Sequence, residues 1–312
     1  MTNSKTVALF PGQGSQITGM GKAWYETSSD AKEIFYMADK VLGFSLSTLC
    51  FEGPEAELTL TKNAQPALLL VSWLNFKLSG ITVDAAAGHS LGEYSALLAA
   101  GVLNFEDAIL LVHKRGIYMQ EAVPVGHGAM SAVMGPTETE ISQFIEEAKN
   151  NNPEITLVEI ANINSPGQIV IAGEAKSVSI FNDYLSQKGA KVIPLKVSAP
   201  FHSSLMKEAE ISLSRDLDQI SFDNPKIPVY SNFTAKKISS GSEARELLKA
   251  QVCGTVRWSD QIKNLVEENN IIRSIEFGPG GVLSKLLKRT IPEITRFEVS
   301  DPSSLEKVKS AF

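Results

Sequence analysis

Residues 84–103, DAAAGHSLGEYSALLAAGVL, place one serine between a short apolar stretch and a helical pattern. Ser90 is flanked by Gly88 and Gly92, and this G-x-S-x-G spacing is typical of a nucleophile on the sharp turn between a strand and a helix. Ser90 and Glu93 also form S-x-x-E, the pattern of a helix capping box. The two roles are compatible, since free N–H groups at a helix N-terminus can bind an oxyanion. The flanking glycines favour the interpretation of Ser90 as a nucleophile.

The segments on either side of this turn predict a large α/β domain. Strands are expected at KTVALF (5–10), ITVDAAAG (81–88), IPVYSN (227–232) and IRSIEF (272–277). Helices with apolar periodicity are expected at residues 29–42, 61–80, 91–100 and 104–122. Strands that alternate with helices are typical of a sheet covered by helices.

Residues 127–197 differ from this pattern. They predict the element order βαββαβ, which is that of a ferredoxin-like unit, with the second and third strands joined by an Asn-Ser-Pro-Gly turn. This unit is too small to be the whole protein and too complete to be a loop. We therefore predict a subdomain over residues 127–197, inserted into a large domain formed by residues 1–126 and 198–312.

Composition and charge exclude several classes of protein. The 312 residues are 43% hydrophobic and 21% charged, as in an ordinary globular protein, and the net charge of −6 argues against nucleic acid or a membrane surface as partner. No signal peptide is expected, and the longest apolar stretch, PALLLVSWLNF (66–76), is too short to span a bilayer. Two cysteines, Cys50 and Cys253, predict reduced thiols in a cytoplasmic protein.

A serine nucleophile needs a base to take its proton, and the chain has four histidines. His89 adjoins Ser90, so its side chain is expected to point away from the hydroxyl. His113 and His127 are expected at the surface. His202 directly follows the last strand of the subdomain, at the mouth of any cleft between the two domains. We therefore predict His202 as the base.

The group that orients the base has two candidates, an acidic side chain and a carbonyl oxygen. An α/β-hydrolase places an Asp or Glu between its serine and histidine in chain order. Asp183 is the acidic candidate there, but it belongs to a predicted subdomain helix. The alternative is a carbonyl oxygen, which argues against a simple hydrolase.

Arg115 lies on the apolar face of a predicted helix. The residues that share this face, at spacings of three and four, are Ala108, Leu111, Val112 and Met119. A guanidinium there keeps its charge and favours bidentate contact with a carboxylate or phosphate. One interpretation is a structural pairing, with Glu121 or with the carbonyls at the end of the helix. The other is that the anion is the substrate.

The glycine-rich stretch FPGQGSQ (10–16) follows the first strand. It suggests a dinucleotide-binding loop, but Ile17 stands where the third glycine belongs and no acidic residue follows a second strand at the required distance. Dinucleotide binding is therefore not expected. Such a strand end can equally present backbone N–H groups to an oxyanion.

Several motifs occur together in one order along nearly the whole chain. They are FPGQGSQ (10–16), KNAQPALL (62–69), GHSLGEYSAL (88–97), HKRGIYMQEA (113–122), NINSPGQIVIAG (162–173), APFHSSLM (199–206), VRWSDQI (256–262) and FGPGGVL (277–283). With these motifs the sequence resembles the malonyl-CoA:acyl-carrier-protein transacylase family, which includes the acyltransferase domains of polyketide synthases. The resemblance implies an α/β-hydrolase-like large domain that carries a ferredoxin-like small one.

The resemblance also implies a role for each matching residue. Ser90 is the nucleophile, His202 is its base, and Gln251 holds the imidazole through a carbonyl oxygen. The oxyanion hole consists of the backbone N–H groups of Gln13 and Leu91. The residues implied in substrate binding are Arg115, on the malonyl carboxylate, Phe201, at the α-carbon of the substrate, Met119 and Asn164.

The implied reaction moves a malonyl group from coenzyme A to Ser90 and then to the phosphopantetheine thiol of acyl carrier protein. No metal and no bound cofactor are implied. A discrete acyltransferase of a modular polyketide synthase is an alternative, as are an acyl hydrolase, against which Arg115 argues, and a non-catalytic carrier-protein binder. Lys285, Lys288 and Arg289 are either a basic patch for an acidic carrier protein or a solvated helix face.

Overall fold

The computed structural model of the protein describes residues 5–197 and 199–311. The outer ends of the predicted large domain, residues 1–4 and 312, and its predicted re-entry point at residue 198 lie outside the described residues.

The described residues form eight strands, fourteen α-helices and one short 3-10 helix, Ser204–Met206. The strands are β1 (Lys5–Phe10), β2 (Ala85–Gly88), β3 (Gly128–Met134), β4 (Val158–Ser165), β5 (Gln168–Glu174), β6 (Lys191–Pro194), β7 (Ile271–Phe277) and β8 (Thr295–Val299). The first seven helices are α1 (Lys22–Thr27), α2 (Ser29–Leu42), α3 (Leu46–Glu52), α4 (Glu55–Thr59), α5 (Thr61–Ser79), α6 (Gly92–Ala99) and α7 (Phe105–Glu121). The others are α8 (Glu138–Asn151), α9 (Ala175–Gln187), α10 (Lys207–Leu217), α11 (Gly241–Gln251), α12 (Trp258–Asn269), α13 (Val282–Thr290) and α14 (Pro302–Ala311).

The large sheet is parallel and has the strand order β2-β1-β7-β8. Its central strand β1 is apolar on both faces, because Val7 and Leu9 pack into one buried cluster while Ala8 and Phe10 pack into another. A parallel sheet covered by helices on both sides requires this continuous apolar run. Phe10 pairs with Gly88, so the ends of β1 and β2 lie side by side.

The prediction of a strand at residues 227–232 is wrong. The segment makes only isolated bridges, Val229 with Ala86 and Tyr230 with Lys237. Pro228 has no N–H to donate, although its carbonyl accepts a hydrogen bond from the Ala86 amide at 2.9 Å. The segment therefore lies beside β2 without continuing the sheet. The strand expected over 81–88 is also shorter than predicted, because β2 begins at Ala85.

The small sheet is antiparallel and has the order β4-β5-β3-β6. From residue 128 the elements follow one another as β3-α8-β4-β5-α9-β6, which is the βαββαβ order that the sequence predicts. Alternation along β5 divides its side chains between two sides. Ile169 and Ile171 pack in the cluster beneath α8 and α9, whereas Val170 and Ala172 face the core of the large domain.

Backbone hydrogen bonds also join the small sheet to the rest of the chain. The Ile163 amide donates to the Val256 carbonyl, and the Val256 amide donates to the Ala161 carbonyl, each at 2.9 Å. Val256 lies five residues after Gln251, between α11 and α12. The small sheet is therefore fixed beside a segment that the sequence assigns to the candidate site.

The predicted helices follow from their capping residues. Ser28 caps α2, Asn104 caps α7, and Gly80 ends α5 in the left-handed conformation that glycine favours. Within residues 5–197 and 199–311, no single helix is long and apolar enough to cross a membrane. The bent pair α2 and α3 meets the length and composition only when both helices are taken together.

Candidate active site

Ser90 lies on the turn between β2 and α6 with φ of 52°, a left-handed conformation that is uncommon for serine. The flanking glycines are sterically required. A Cβ on Gly88 would lie 1.8 Å from the Gly92 carbonyl oxygen, and a Cβ on Gly92 would lie 2.0 Å from the Phe10 carbonyl oxygen. The turn that the sequence predicts for G-x-S-x-G is therefore present, with β1 packed directly against it.

The capping box predicted from Ser90 and Glu93 is wrong. Helix α6 begins after Leu91, and no side chain caps it. The Glu93 carboxylate is fully buried and accepts hydrogen bonds from the Asn232 amide at 3.0 Å and Gln251 Nε2 at 2.7 Å. The Ser90 hydroxyl is engaged instead by side chains across the cleft.

His202 is the histidine that reaches the serine hydroxyl. Its Nε2 lies 2.7 Å from Ser90 Oγ, and its Nδ1 lies 2.9 Å from the main-chain carbonyl oxygen of Gln251. A carbonyl can only accept, so Nδ1 carries the proton and Nε2 presents a lone pair to the hydroxyl. Burial, and then the positive charge of Arg115, lower the pKa of His202 to about 3. The imidazole is therefore a neutral base at physiological pH.

The other histidines are engaged elsewhere. His89 Nε2 lies 2.8 Å from Asn164 Oδ1, so its ring points away from Ser90 as expected. His113 is half-buried, against the expectation of a surface position, because its Nδ1 lies 2.8 Å from the Lys62 carbonyl oxygen. His127 is exposed.

Arg115 is buried, with 1% of its surface exposed, and its guanidinium contacts neutral oxygens. It donates to Gln65 Oε1 at 2.8 Å, to Gln251 Oε1 at 2.9 Å and to Ser90 Oγ at 3.1 Å. No ion pair of Arg115 occurs among residues 5–197 and 199–311. The predicted alternative of an ion pair with Glu121 is therefore wrong, and Glu121 is exposed. Burial lowers the pKa of Arg115, yet a guanidinium stays charged in proteins. This positive charge has no local counter-charge in direct contact.

A cavity of about 170 Å³ opens onto Ser90 and Arg115. Large-domain residues that line it include Gln13, Leu91, Met119, Phe201 and His202, and the small sheet and the segment after it contribute Met130, Asn162, Leu195 and Val197. Most of the predicted site residues therefore surround one space between the two sheets. A cavity of this size suits a small acyl group.

The main-chain amides of Gln13 and Leu91 lie at the ends of β1 and β2 respectively. Neither amide donates to another group in the part of the chain that the structure describes. Gly12 keeps the two strand ends close, since a Cβ there would lie 2.6 Å from the His89 carbonyl oxygen. Two free amides beside the nucleophile suit an oxyanion hole, and this role stays a prediction.

Asn164 is placed differently from the other predicted substrate contacts. Its side chain binds His89, and Asn162, two residues earlier, lines the cavity instead. Strand β4 changes register against β5 between Ile163 and Ser165, so the simple alternation of side chains is interrupted at Asn164. The role of Asn164 in substrate binding stays a prediction.

Three residues with direct contacts in the site were missed by the sequence analysis: Glu93, Gln65 and Asn232. Gln65 lies in the quoted motif KNAQPALL, which was the available signal for it. Asn232 follows a segment that was expected to be a plain strand, and Glu93 was assigned to a cap. Each is recognisable only when distant segments are brought together.

A parallel α/β sheet, a serine on a strand–helix turn, a neutral histidine and a buried arginine together define an enzyme that transfers acyl groups through a serine. The family profile described as "Acyl transferase domain" matches residues 7–307. The malonyl CoA-acyl carrier protein transacylase of Bacillus subtilis (strain 168) is 47% identical over 307 residues, which cover 97% of this chain and 96% of that protein. The chain belongs to the acyltransferase family of malonyl CoA-acyl carrier protein transacylases.

Solved structures agree with this family. A malonyl CoA-acyl carrier protein transacylase from Clostridium perfringens has a TM-score of 0.94 at 37% identity, with 99% of this chain and 97% of that chain covered. A malonyl-transacylase solved in complex with a type II PKS acyl-carrier protein has a TM-score of 0.92 at 39% identity, with 99% and 100% covered. Both the sequence and the fold of this chain are similar to theirs over 99% of its length.

Proposed function

We propose that the protein transfers a malonyl group from malonyl-CoA to the phosphopantetheine thiol of acyl carrier protein through a malonyl ester of Ser90. The observation that carries this proposal is Arg115, a buried cation that lies 3.1 Å from the nucleophile and makes no ion pair with the described residues. A substrate carboxylate would supply a negative charge in direct contact with it. The relatives are malonyl CoA-acyl carrier protein transacylases, which supports the same substrate.

In the first half-reaction the malonyl carboxylate binds Arg115, which places the thioester carbonyl over Ser90. His202 Nε2 takes the hydroxyl proton as Ser90 Oγ attacks the carbonyl carbon. The amides of Gln13 and Leu91 stabilise the tetrahedral oxyanion. When the carbon–sulfur bond breaks, the protonated His202 returns its proton to the coenzyme A sulfur.

In the second half-reaction the thiol of the carrier protein gives its proton to His202 and attacks the malonyl ester. The ester bond to Ser90 breaks, the serine oxygen recovers the proton, and a new thioester leaves. No atom changes its oxidation state in either half, so the proposed reaction needs no redox cofactor, and each proton transfer in it is assigned to His202. The protein is proposed to act in the cytoplasm, and its two free thiols suit a reducing compartment.

A second candidate concerns the carrier protein alone. A carrier of a polyketide pathway is favoured by the 39% identical malonyl-transacylase whose structure contains a type II PKS acyl-carrier protein. The basic patch predicted for carrier binding lies on α13, where Lys285, Lys288 and Arg289 are exposed. Arg289 donates to Gln168 Oε1, on the first residue of β5, at 2.7 Å. Carrier binding by this patch stays a prediction.

The proposal is tested by the mass of the intact protein after incubation with malonyl-CoA. The parent should gain one malonyl group and lose it again when holo acyl carrier protein is added, whereas Ser90→Ala should gain none. Ser95→Ala, the same change at a buried serine of α6, is the control and should acylate normally. Release of free malonate without transfer would identify a hydrolase, and no adduct on the parent would identify a non-catalytic binder.

A further inference from the structure

Two buried side chains from distant segments hold the peptide groups of Ser90. The Ser90 N–H donates to Asn232 Oδ1 at 2.6 Å, and Gln251 Nε2 donates to the Ser90 carbonyl at 3.1 Å. Both side chains are fully buried. The turn that carries the nucleophile is therefore supported from outside its own strand and helix.

The side-chain amide of Asn232 has one orientation that satisfies its neighbours. Oδ1 faces the Ser90 N–H, which can only donate, and Nδ2 lies 2.7 Å from the Gly88 carbonyl oxygen, which can only accept. Nδ2 also donates to Gln261 Oε1 at 2.7 Å. An amide combines an acceptor with two donors. Asn232 therefore bridges the two peptide groups that enter the turn, which neither a carboxylate nor an apolar side chain can do.

The backbone of Asn232 is itself anchored. Its N–H donates to the Glu93 carboxylate at 3.0 Å, and its carbonyl accepts from the Arg257 amide at 2.8 Å. A left-handed serine persists only where the surrounding structure over-determines its conformation. The anchored amide of Asn232 supplies such a constraint on Ser90, whose φ is 52°.

We infer that Asn232 is a positioning residue, which holds Ser90 in the conformation that directs Oγ to His202 Nε2 and leaves the Leu91 amide free. Asn232 does not line the cavity, so it acts through Ser90 and not on the substrate. The inference rests on the proposed function, because it concerns the rate at which Ser90 is acylated.

The test measures single-turnover acylation of the whole protein by malonyl-CoA, with Asn232→Leu compared with the parent. The maximal rate should fall about a hundredfold, since misplacement of a nucleophile by roughly 1 Å has an effect of that order. The half-saturating concentration of malonyl-CoA should change less than about threefold, because Arg115 keeps its hydrogen bonds to Gln65 and Gln251 and stays available to the malonyl carboxylate.

Asn75→Leu is the matched control. Asn75 is also fully buried, accepts from Trp24 Nε1 at 2.7 Å and donates to the Val71 carbonyl at 2.8 Å, but it contacts no residue of the site. This variant should lose stability and keep the parent's acylation rate. An equal loss of rate in both variants would reduce Asn232 to a general structural residue and overturn the inference.

Asn232→Asp gives a second, independent measurement. An ionised aspartate accepts from Ser90 but cannot donate to the Gly88 carbonyl, whereas the protonated acid does both. The variant-to-parent ratio of acylation rates should therefore rise as the pH falls from about 8 to about 5. The titrating and charged neighbours Glu93, Arg115 and His202 are common to both proteins. Glu93 accepts from the residue 232 amide, so the ratio reports the titration of the added carboxyl together with its coupling to Glu93.

Four results distinguish the possible roles of Asn232. A parent-like rate in Asn232→Leu, or a ratio for Asn232→Asp that stays low at every pH, overturns the positioning role. A hundredfold loss of the acylation rate in Asn232→Leu, together with recovery of the rate of Asn232→Asp at low pH, supports the positioning role. A parent that forms no malonyl adduct overturns the proposed function itself, so the two failures are distinguishable.

Discussion

Gln251 contacts both the base, His202, and the buried cation, Arg115. Its main-chain carbonyl accepts from His202 Nδ1 at 2.9 Å, and its side-chain oxygen accepts from Arg115 Nη2 at 2.9 Å. The same two residues converge on Ser90 Oγ, at 2.7 Å and 3.1 Å. The base, the nucleophile and the cation are therefore joined by one set of hydrogen bonds that runs through Gln251 and Ser90 Oγ.

Arg115→Ala should abolish the preference for malonyl-CoA without unfolding the protein. Removal of one partner of a desolvated charge pair costs about 2–5 kcal/mol, which corresponds to a loss of roughly thirtyfold to several thousandfold in kcat/KM. Acetyl-CoA has no carboxylate to leave unpaired, and it no longer meets a buried unpaired guanidinium. Its kcat/KM should hold steady or rise. The measurement is kcat/KM for both substrates, with Tm as a check on folding.

Lys114→Ala is the matched control, because it removes the adjacent positive charge. Lys114 pairs with Asp216 at 2.6 Å and makes no contact with Ser90. Both substrates should be transferred normally by this variant. A parallel fall for malonyl-CoA and acetyl-CoA in Arg115→Ala would assign the arginine a structural role instead.

At the scale of elements, local pattern determined most of what could be predicted. The predicted bounds of β1 and α2 are the observed ones, since an apolar run and a capped amphipathic period are visible within each segment. The prediction of a strand at 227–232 failed because Tyr230 pairs with Lys237 in a separate turn. The hydrophobic periodicity of the segment does not indicate this turn. Ser90 was predictable from its flanking glycines. Asn232, 142 positions away from it, was not.

Helix α6 carries a buried carboxyl, that of Glu93, in its first turn, and this carboxyl links Asn232 to Gln251. Burial raises the pKa of Glu93 to about 7, although hydrogen bonds from Asn232 and Gln251 and the charge of Arg115 oppose the rise. The ordinary value is 4.5. A raised pKa means that the protonated form is favoured by folding, so the contribution of Glu93 to stability is complete below pH 4.5 and is lost as the pH rises through about 7.

Glu93→Gln should remove this pH dependence. The shift corresponds to about 3 kcal/mol of unfolding free energy, which the parent loses and the variant keeps over that range. The measurement is urea unfolding of both proteins at several pH values between about 4.5 and 8. His202, whose lowered pKa gives the opposite slope, is present in both proteins and cancels in the difference. A difference that is flat with pH would show that Glu93 titrates normally.

On the scale of the whole molecule, the cavity exists because two sheets share a core. Met130, Ala161, Val170 and Ala172 of the small sheet pack in the same apolar cluster as the helices around β1. Backbone hydrogen bonds at Val256 add a second connection beside Gln251. Separation of the sheets would expose this shared surface and open the site at the same time. The small sheet is therefore a structural part of the catalytic unit.

The two sheets should accordingly unfold together. Hydrogen exchange in increasing urea, read by mass spectrometry, should give the slowest amides of β5 and β1 the same opening free energy, because opening either sheet exposes the shared cluster. Strand β6, at the exposed edge of the small sheet, serves as the internal control and should exchange sooner. If β5 opens at a clearly lower free energy than β1, the small sheet unfolds by itself, and the site would then be gated by its detachment and not fixed by a common core.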